Sequence, residues 1–453
     1  MKKTKTFLLI YIFIFLIFFS ALSSCSYAAS DISTYSPSCI LLEKETGKIL
    51  YEKNANEVRY PASTTKIMTA ILAVEKCKLT DVATVSHNAI FTVPVSYAHA
   101  SLKEGEEVTV EQLLNVLLIP SANDAANVLA EHISGSVDEF ANLMNEKAKE
   151  IGCLNTHFVN PNGVYHKDHT TTAYDLALMG RYAMQNTTIR EIVKKTSYSL
   201  PATNKYDKTD RHFNTTNDLI RVNNSNAKDN YYYSNAIGIK TGYTTEAGSC
   251  IIAAAQKDGL EVICVVLGGG STDGLSERYL DCIHLFDYAF DNYKMQTVHE
   301  QNSIVDQITV SGATNDTKNL NLLAKDNVAI LLSKDKAETL TPEITLNEDL
   351  KAPISANTVV GKVTYHIGED VYSSDLIAET SVLASGVFPI LLRIVLILVT
   401  IYLIYLLLRK PKSGKSSKNS SKKKHKKVSK SNSRGGKRSK GGGHFLFTSL
   451  NNL

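Results

Sequence analysis

The feature that most constrains this chain is a 22-residue apolar run, Val387–Leu408, closed by Arg409 and Lys410. As a helix rising 1.5 Å per residue, a run of this length crosses a hydrocarbon layer of roughly 30 Å. Pro389 and Arg393 interrupt it only near its start, where an arginine reaches back toward the head groups. The Lys/Ser/Gly sequence that follows cannot pack a core, so a transmembrane helix over 387–408 is expected rather than a buried one. From Arg409 to Lys440 there are 15 Lys/Arg and no Asp or Glu. Positive charge stays on the cytoplasmic side of a membrane, which sets the tail 409–453 inside, disordered, and residues 30–386 outside.

The other end agrees independently. Lys2, Lys3 and Lys5 precede a 13-residue apolar run, Phe7–Phe19, and then the small polar stretch Ser20–Ser30. These are the parts of a secretory signal peptide over 1–28, with Ser26 and Ala28 placing the cut after Ala28 or after Ala29. Leu22-Ser-Ser-Cys25 also has the form of a lipoprotein processing box, which makes lipidation at Cys25 an alternative. All 45 acidic residues lie between Asp31 and Glu379, so a net charge of +4 conceals an outward-facing part near −15. A basic nucleic-acid binder is thereby excluded for the protein as a whole. The tail reads as a solvated charge run or a contact for anionic lipid, and no specific nucleic-acid partner is expected.

Seven cysteines, at 25, 39, 77, 153, 250, 264 and 282, include no Cys-x-x-Cys pair, and their spacings suggest neither a disulfide framework nor a zinc site. Several sit in apolar runs, as in Val262-Ile-Cys264, where a buried inert thiol is the default. From Pro37 to Tyr293 strand-like and helix-like stretches alternate. Ser38–Leu42 and Lys48–Tyr51 read as strands joined by a tight turn at Glu45-Thr-Gly47. Residues 63–76 and 111–132 read as helices, the first apolar nearly all round and therefore buried. Ser249–Ala255 and Val262–Leu267 read as core strands, and Ser276–Asn292 as a closing helix. Strands at both ends with helices between predict a sheet completed by distant parts of the chain. Short Val/Ile/Thr strands then follow, such as Thr358–Tyr365, in a small β-rich domain over 296–380.

Pro61-Ala-Ser63-Thr-Thr-Lys66 opens the first buried helix. A spacing of three sets Ser63 and Lys66 on one helical face. A serine hydroxyl attacks poorly unless a neighbour takes its proton, and a lysine does so when burial and nearby cations leave its amine neutral. A helix start also aims free backbone N–H groups at developing negative charge. The spacing alone says little, since it recurs at Ser225/Lys228 and Ser420/Lys423. The buried helix is what sets Ser63 apart. Two polar triplets follow: Ser121-Ala-Asn123 after an apolar run, and Lys240-Thr-Gly242 on a strand edge, a cation, a hydroxyl and bare backbone offered to a substrate. Taken singly, each also reads as a surface loop or a turn.

In this order, 58 and 119 residues apart, the three triplets resemble those of the active-site serine penicillin-interacting enzymes. The words Thr46–Ala55, Pro61–Ala70, Ser121–Ala125, Asn155–Gly163 and Thr171–Asp175 are similar to those of the D-alanyl-D-alanine carboxypeptidases, the low-molecular-mass penicillin-binding proteins of peptidase family S11. The resemblance implies an α/β (α+β) domain of the serine β-lactamase/DD-peptidase kind over 36–295, a sheet with flanking helices, ahead of the β-rich domain and the C-terminal transmembrane helix. It implies Ser63 as the acylated nucleophile, Lys66 as its general base, and Ser121 as a proton relay to the leaving amine. Asn123 would bind the substrate amide and steady Lys66, while Lys240 and Thr241 would hold the terminal carboxylate beside Gly242. Backbone N–H groups of Ser63 and Tyr243 would form the oxyanion hole. Arg278 matches an arginine near that carboxylate, a surface arginine being the other reading.

The expected reaction removes the terminal D-alanine from stem pentapeptides. Its partners would be peptidoglycan stem peptides ending in D-Ala-D-Ala, β-lactam antibiotics and the cytoplasmic membrane. No cofactor and no metal are expected: His157, His166 and His169 gather near Asp168, but in a loop and without paired zinc spacing. A class A β-lactamase shares the triplets and adds a water-activating glutamate. Glu150 and Asn155 approximate that word at the wrong spacing, and the middle triplet is Ser-Ala-Asn rather than Ser-Asp-Asn. An endopeptidase that cuts cross-links and an inactive wall-binding protein stand as further alternatives.

Overall fold

The computed structural model describes residues 32–208, 211–222, 230–335 and 338–409. The expected signal peptide, the alternative lipidation at Cys25 and the basic tail after Arg409 lie outside the described residues.

Five antiparallel strands form the central sheet, in the order Ile49–Lys53, Ser38–Glu43, Leu260–Gly269, Gly248–Lys257, Ala236–Thr244. The N-terminal hairpin is completed by strands from far along the chain, with Leu41 opposite Cys264 and Lys240 opposite Ile252. Strands covered on both faces must be apolar at successive positions, and Val262–Leu267 are buried without exception. The two-residue period of a strand then sorts them. Ile40, Leu42, Ile252, Ala254, Ile263 and Val265 enter a core roofed by helices. Cys39, Leu41, Ile251, Ala253, Cys264 and Val266 enter a second core beneath the closing helix Glu277–Asn292.

Within the helical layer, Lys66–Lys76 is buried from Lys66 to Ala73, as an all-round apolar helix requires. It is prefaced by a 3-10 turn, Ala62–Thr65. The single helix expected over 111–132 is instead two, Val110–Leu118 and Asn123–Ser134. Pro120 has no N–H for the helical ladder, and Ser121 takes the left-handed backbone at φ 68°. The apolar period of Leu117-Leu-Ile119 runs up to the break and masks it. A capping box between Thr109 and Gln112 starts the first of the two.

From Tyr293 the chain passes directly into β structure. Tyr293–His299 pairs with Val328–Ser333. A five-stranded antiparallel sheet follows in the order Ile304–Thr309, Asn319–Ala324, Asp370–Ala378, Val359–Ile367, Glu343–Leu346. Leu320, Leu322, Val360, Val363 and Leu376 fill this module, and their core is continuous with that of the closing helix. Lys48 of the first hairpin forms an ion pair with Asp370.

Val387–Leu408 is a 22-residue helix that belongs to a separate unit. Among the described residues it is the one helix long and apolar enough to cross a membrane.

Candidate active site

Ser63 lies in the 3-10 turn and Lys66 opens the helix behind it. In a 3-10 turn residues three apart eclipse one another, and Lys66 Nζ sits 2.9 Å from Ser63 Oγ. Nζ also donates to Asn123 Oδ1 at 2.8 Å and to the Asn162 carbonyl at 2.6 Å. None of these partners is a carboxylate. Asp124 is close in sequence, but its oxygens accept from the backbone N–H groups of Ala100, Leu102 and Ala125. Burial, and after it the charge of Lys240, hold Lys66 well below the ordinary lysine range, with Asp124 opposing. A neutral amine has two N–H donors and one lone pair. Two acceptors and one hydroxyl are the complement it needs, and the lone pair is left for the Ser63 proton.

Asn162, which supplies this carbonyl, is fixed through its side chain. Asn162 Nδ2 donates to Asn127 Oδ1 at 3.0 Å, and Val164 N–H donates to Asn162 Oδ1 at 2.9 Å. Gly163, at φ 83°, lets this loop lie on the serine turn: a Cβ there would stand 1.8 Å from the Ala62 carbonyl oxygen. Thr65 Oγ1 donates to that same oxygen at 2.8 Å and meets His169 Nε2 at 2.9 Å. His169 Nδ1 accepts from Val159 N–H at 3.2 Å, so the ring proton sits on Nε2. Burial first, then His157, His166 and Lys66, push His169 down to about 3 and keep it neutral. Of the other two histidines considered as ligands, His157 Nδ1 donates to the Asp168 carbonyl, and His166 Nδ1 accepts from Asp168 N–H.

Ala236–Thr244, which carries Lys-Thr-Gly, is the edge strand of the sheet. Gly242 lets it close on the serine turn, since a Cβ there would stand 2.9 Å from Ser63 N and 3.1 Å from Pro61 O. Lys240 is buried, and its Nζ donates to Thr241 O at 2.8 Å. Burial, and then Arg278, push its pKa down to about 7. Arg278, in the first turn of the closing helix, donates to Gly242 O at 3.0 Å and to the Tyr279 hydroxyl at 3.1 Å. Arg278 is thus tied to the Lys-Thr-Gly strand by a hydrogen bond. Tyr279 OH donates in turn to Thr216 O at 3.0 Å, and the Thr216 and Thr241 hydroxyls are 2.6 Å apart. Tyr243 is 65% exposed beside them, and Ser121 is buried two residues ahead of Asn123.

The structure thus joins Ser63, Lys66 and Asn123 by direct hydrogen bonds, and brings Lys240, Thr241, Gly242 and Arg278 to the same turn through Gly242. Asn162, Thr216 and Tyr279 carried no role in the sequence reading, and His169 entered it only as a metal ligand that was set aside. Asn162 acts on Lys66 through a backbone carbonyl, which no side-chain pattern encodes. Asn160-Pro-Asn-Gly163, a turn-forming word, was its signal.

Comparison with known proteins gives the same direction. The D-alanyl-D-alanine carboxypeptidase family model (Peptidase_S11) matches residues 26–271, and that of the penicillin-binding protein 5 C-terminal domain matches 293–384. D-alanyl-D-alanine carboxypeptidase DacF of Bacillus subtilis (strain 168) is 32% identical over 373 residues, 80% of this chain and 90% of its own. DacC of Escherichia coli (strain K12), of the same description, is 31% identical over 77% of this chain and 84% of its own. The crystal structure of penicillin binding protein 5 from Haemophilus influenzae superposes with a TM-score of 0.61 at 25% identity, covering 78% of this chain and 99% of that one. Motif order, the Lys66-centred geometry and these likenesses agree: the chain belongs to the D-alanyl-D-alanine carboxypeptidase family.

Proposed function

We propose that this protein removes the terminal D-alanine from peptidoglycan stem pentapeptides through an acyl-enzyme on Ser63. The observation that carries this is the buried Lys66 amine, 2.9 Å from Ser63 Oγ and backed by two neutral acceptors rather than a carboxylate. Ser63 Oγ gives its proton to the Lys66 lone pair and attacks the carbonyl carbon of the penultimate D-alanine. The backbone N–H groups of Ser63 and Tyr243 take the oxyanion. Ser121 relays the proton to the departing amine as the C–N bond breaks, and Asn123 holds the substrate amide. Water then hydrolyses the ester and Ser63 regains its proton. Lys240, Thr241 and Arg278 grip the free carboxylate, with Thr216 and Tyr279 steadying them. The incoming anion also restores the charge of Lys240, which burial and Arg278 otherwise weaken. β-Lactams acylate the same hydroxyl.

In this function the catalytic domain spans 36–295 and the β-rich domain 296–380, both outside the cell. The helix over 387–408 anchors them in the cytoplasmic membrane, with the basic tail inside. The family and the length and apolarity of that helix support the anchoring.

The test is release of D-alanine from a pentapeptide ending in D-Ala-D-Ala by the full-length protein, alongside labelling by a fluorescent penicillin. Ser63→Ala should lose both, by roughly four orders of magnitude or more. Labelling that survives in Ser63→Ala would remove Ser63 from its role. Rapid turnover of a chromogenic cephalosporin would move the protein to the β-lactamases, and cleavage of cross-links without D-alanine release to the endopeptidases.

A further inference from the structure

We infer that Cys77, Asp81 and His132 form a site for a zinc-class divalent cation. Cys77 caps the C-terminal end of the helix that Lys66 opens, and His132 lies in the last turn of the helix that Asn123 opens. The two helices that carry catalytic groups at their starts therefore carry potential metal donors at their far ends. Cys77 Sγ, an Asp81 carboxylate oxygen and a His132 ring nitrogen all lie within 4.8 Å of one another.

These three donor types are the ones zinc takes. With bonds of about 2.0–2.3 Å, tetrahedral ligand atoms stand about 3.3–3.8 Å apart. Closing from the present spacing is a matter of side-chain rotation, and the exposed His132 is free to make it. The backbone beneath is already fixed. Cys77 N–H donates to Ala73 O at 3.1 Å, and Asp81 N–H to Lys78 O at 3.0 Å. Lys78 N–H donates to Asp81 Oδ2 at 2.8 Å, so the turn orients the carboxylate. A ligand carboxylate held by a second hydrogen bond is the usual support of a metal site. The turn is anchored further by Val110 N–H donating to Asp81 O at 2.9 Å.

A thiolate with an imidazole selects zinc over calcium or magnesium, which prefer all-oxygen sets. Three protein donors leave the fourth position to water. Such an ion would tie the Cys77 end of one helix to the His132 end of the other, on the side of the helical layer away from Ser63. Spacing along the chain could not reveal this, because Cys77 and His132 meet only through the packing of two helices.

The test uses the full-length chain in detergent, without a polyhistidine tag, stripped of metal and titrated with Co2+ and then Zn2+. The expected result is one equivalent of Co2+ with thiolate-to-cobalt charge-transfer absorption and tetrahedral d–d bands, both displaced by Zn2+. Cys77→Ser should abolish the charge-transfer band. Asp81→Asn and His132→Ala should each weaken Zn2+ binding by at least about tenfold. Zn2+ should raise the thermal midpoint of the wild type and not that of Cys77→Ser. Penicillin labelling of each variant confirms that it folds, and it reads a site none of the three residues touches. Absence of the charge-transfer band, its persistence in Cys77→Ser, or an equal Zn2+ shift in wild type and variants would each overturn the inference.

Discussion

The helical layer around Lys66 and the β module after Tyr293 are built on opposite terms. Around the serine turn the interior is polar: Thr64, Thr65, Lys66, Thr69, Asn123, Asp124, Asn127, Asn162 and His169 are all buried. In the module, among the described residues, the buried side chains are apolar apart from Ser374 and the hydroxyl-bearing Tyr365 and Tyr372. Backbone conformations divide the same way. The module's non-glycine residues in the left-handed region are Asn302, Asp349 and Asn357, types that tolerate it. The site instead holds Ala62 at φ 48° and Ser121 at φ 68°, each costing about 1–3 kcal/mol. Buried polar groups and strained backbone persist only where surrounding contacts over-determine them, and here they flank one amine. The module buries few polar groups; the serine turn gathers many around the amine to which the proposed chemistry is assigned.

The largest test of this contrast is Lys66→Met, which keeps volume and removes the proposed base. Acylation by penicillin should fall about 1,000-fold or more while the circular-dichroism spectrum stays unchanged. Labelling at the wild-type rate would end the claim that this amine takes the proton. Next is Leu376→Ala, a fully buried module residue. Urea denaturation should show a loss of about 2–5 kcal/mol, with the acylation rate constant of the folded protein unaltered. A matching fall in that rate constant would mean the two regions are not separable.

A third prediction concerns pH. In the proposed function carboxylate binding needs charged Lys240, so kcat/KM should fall as pH rises through about 7, and fall on the acid side as Lys66 takes up a proton. Arg278 depresses Lys240, so Arg278→Gln should move the alkaline limb upward, by on the order of one unit or less, even as KM worsens. A limb that moves down or stays in place would contradict the assignment. The sign for stability follows from the same two groups. The folded chain holds both lysines below their unfolded values, so between those values the unfolded chain binds more protons and stability rises with pH. The smallest effect is Ala62→Gly, which should raise stability by about 1 kcal/mol by relieving the left-handed alanine. A loss of that size would show that the turn carries no such strain.

What was legible in the sequence was whatever local periodicity encodes. The unbroken apolar runs of Ser38–Leu42 and Val262–Leu267 pointed to buried strands, and the all-round apolarity of 63–76 to the buried helix. The 111–132 reading missed the break because the apolar pattern stays intact up to Pro120, whose missing N–H bars the helical ladder there. The proximity of Ser63, Lys66, Asn123 and the Lys240 strand was legible because their triplets recur in a known order; the roles proposed for them rest on the tests above. It was not legible where a backbone atom acts, as at Asn162 O, or where contact is made across layers, as between Tyr279 and Thr216.

The closing helix has a further consequence. It carries Arg278 in its first turn and delivers Tyr293 to the module at its other end, a rod of 16 residues, about 24 Å long. Its Leu285, Phe286 and Phe290 share one apolar cluster with the module's strands. Cutting the chain after Asn292 would therefore strip the lower half of that rod of its cover and leave its upper end, the anchor for the Lys-Thr-Gly strand, fastened to a support no longer seated. A truncated head should lose grip on its ligand's acid terminus before it loses the power to be acylated.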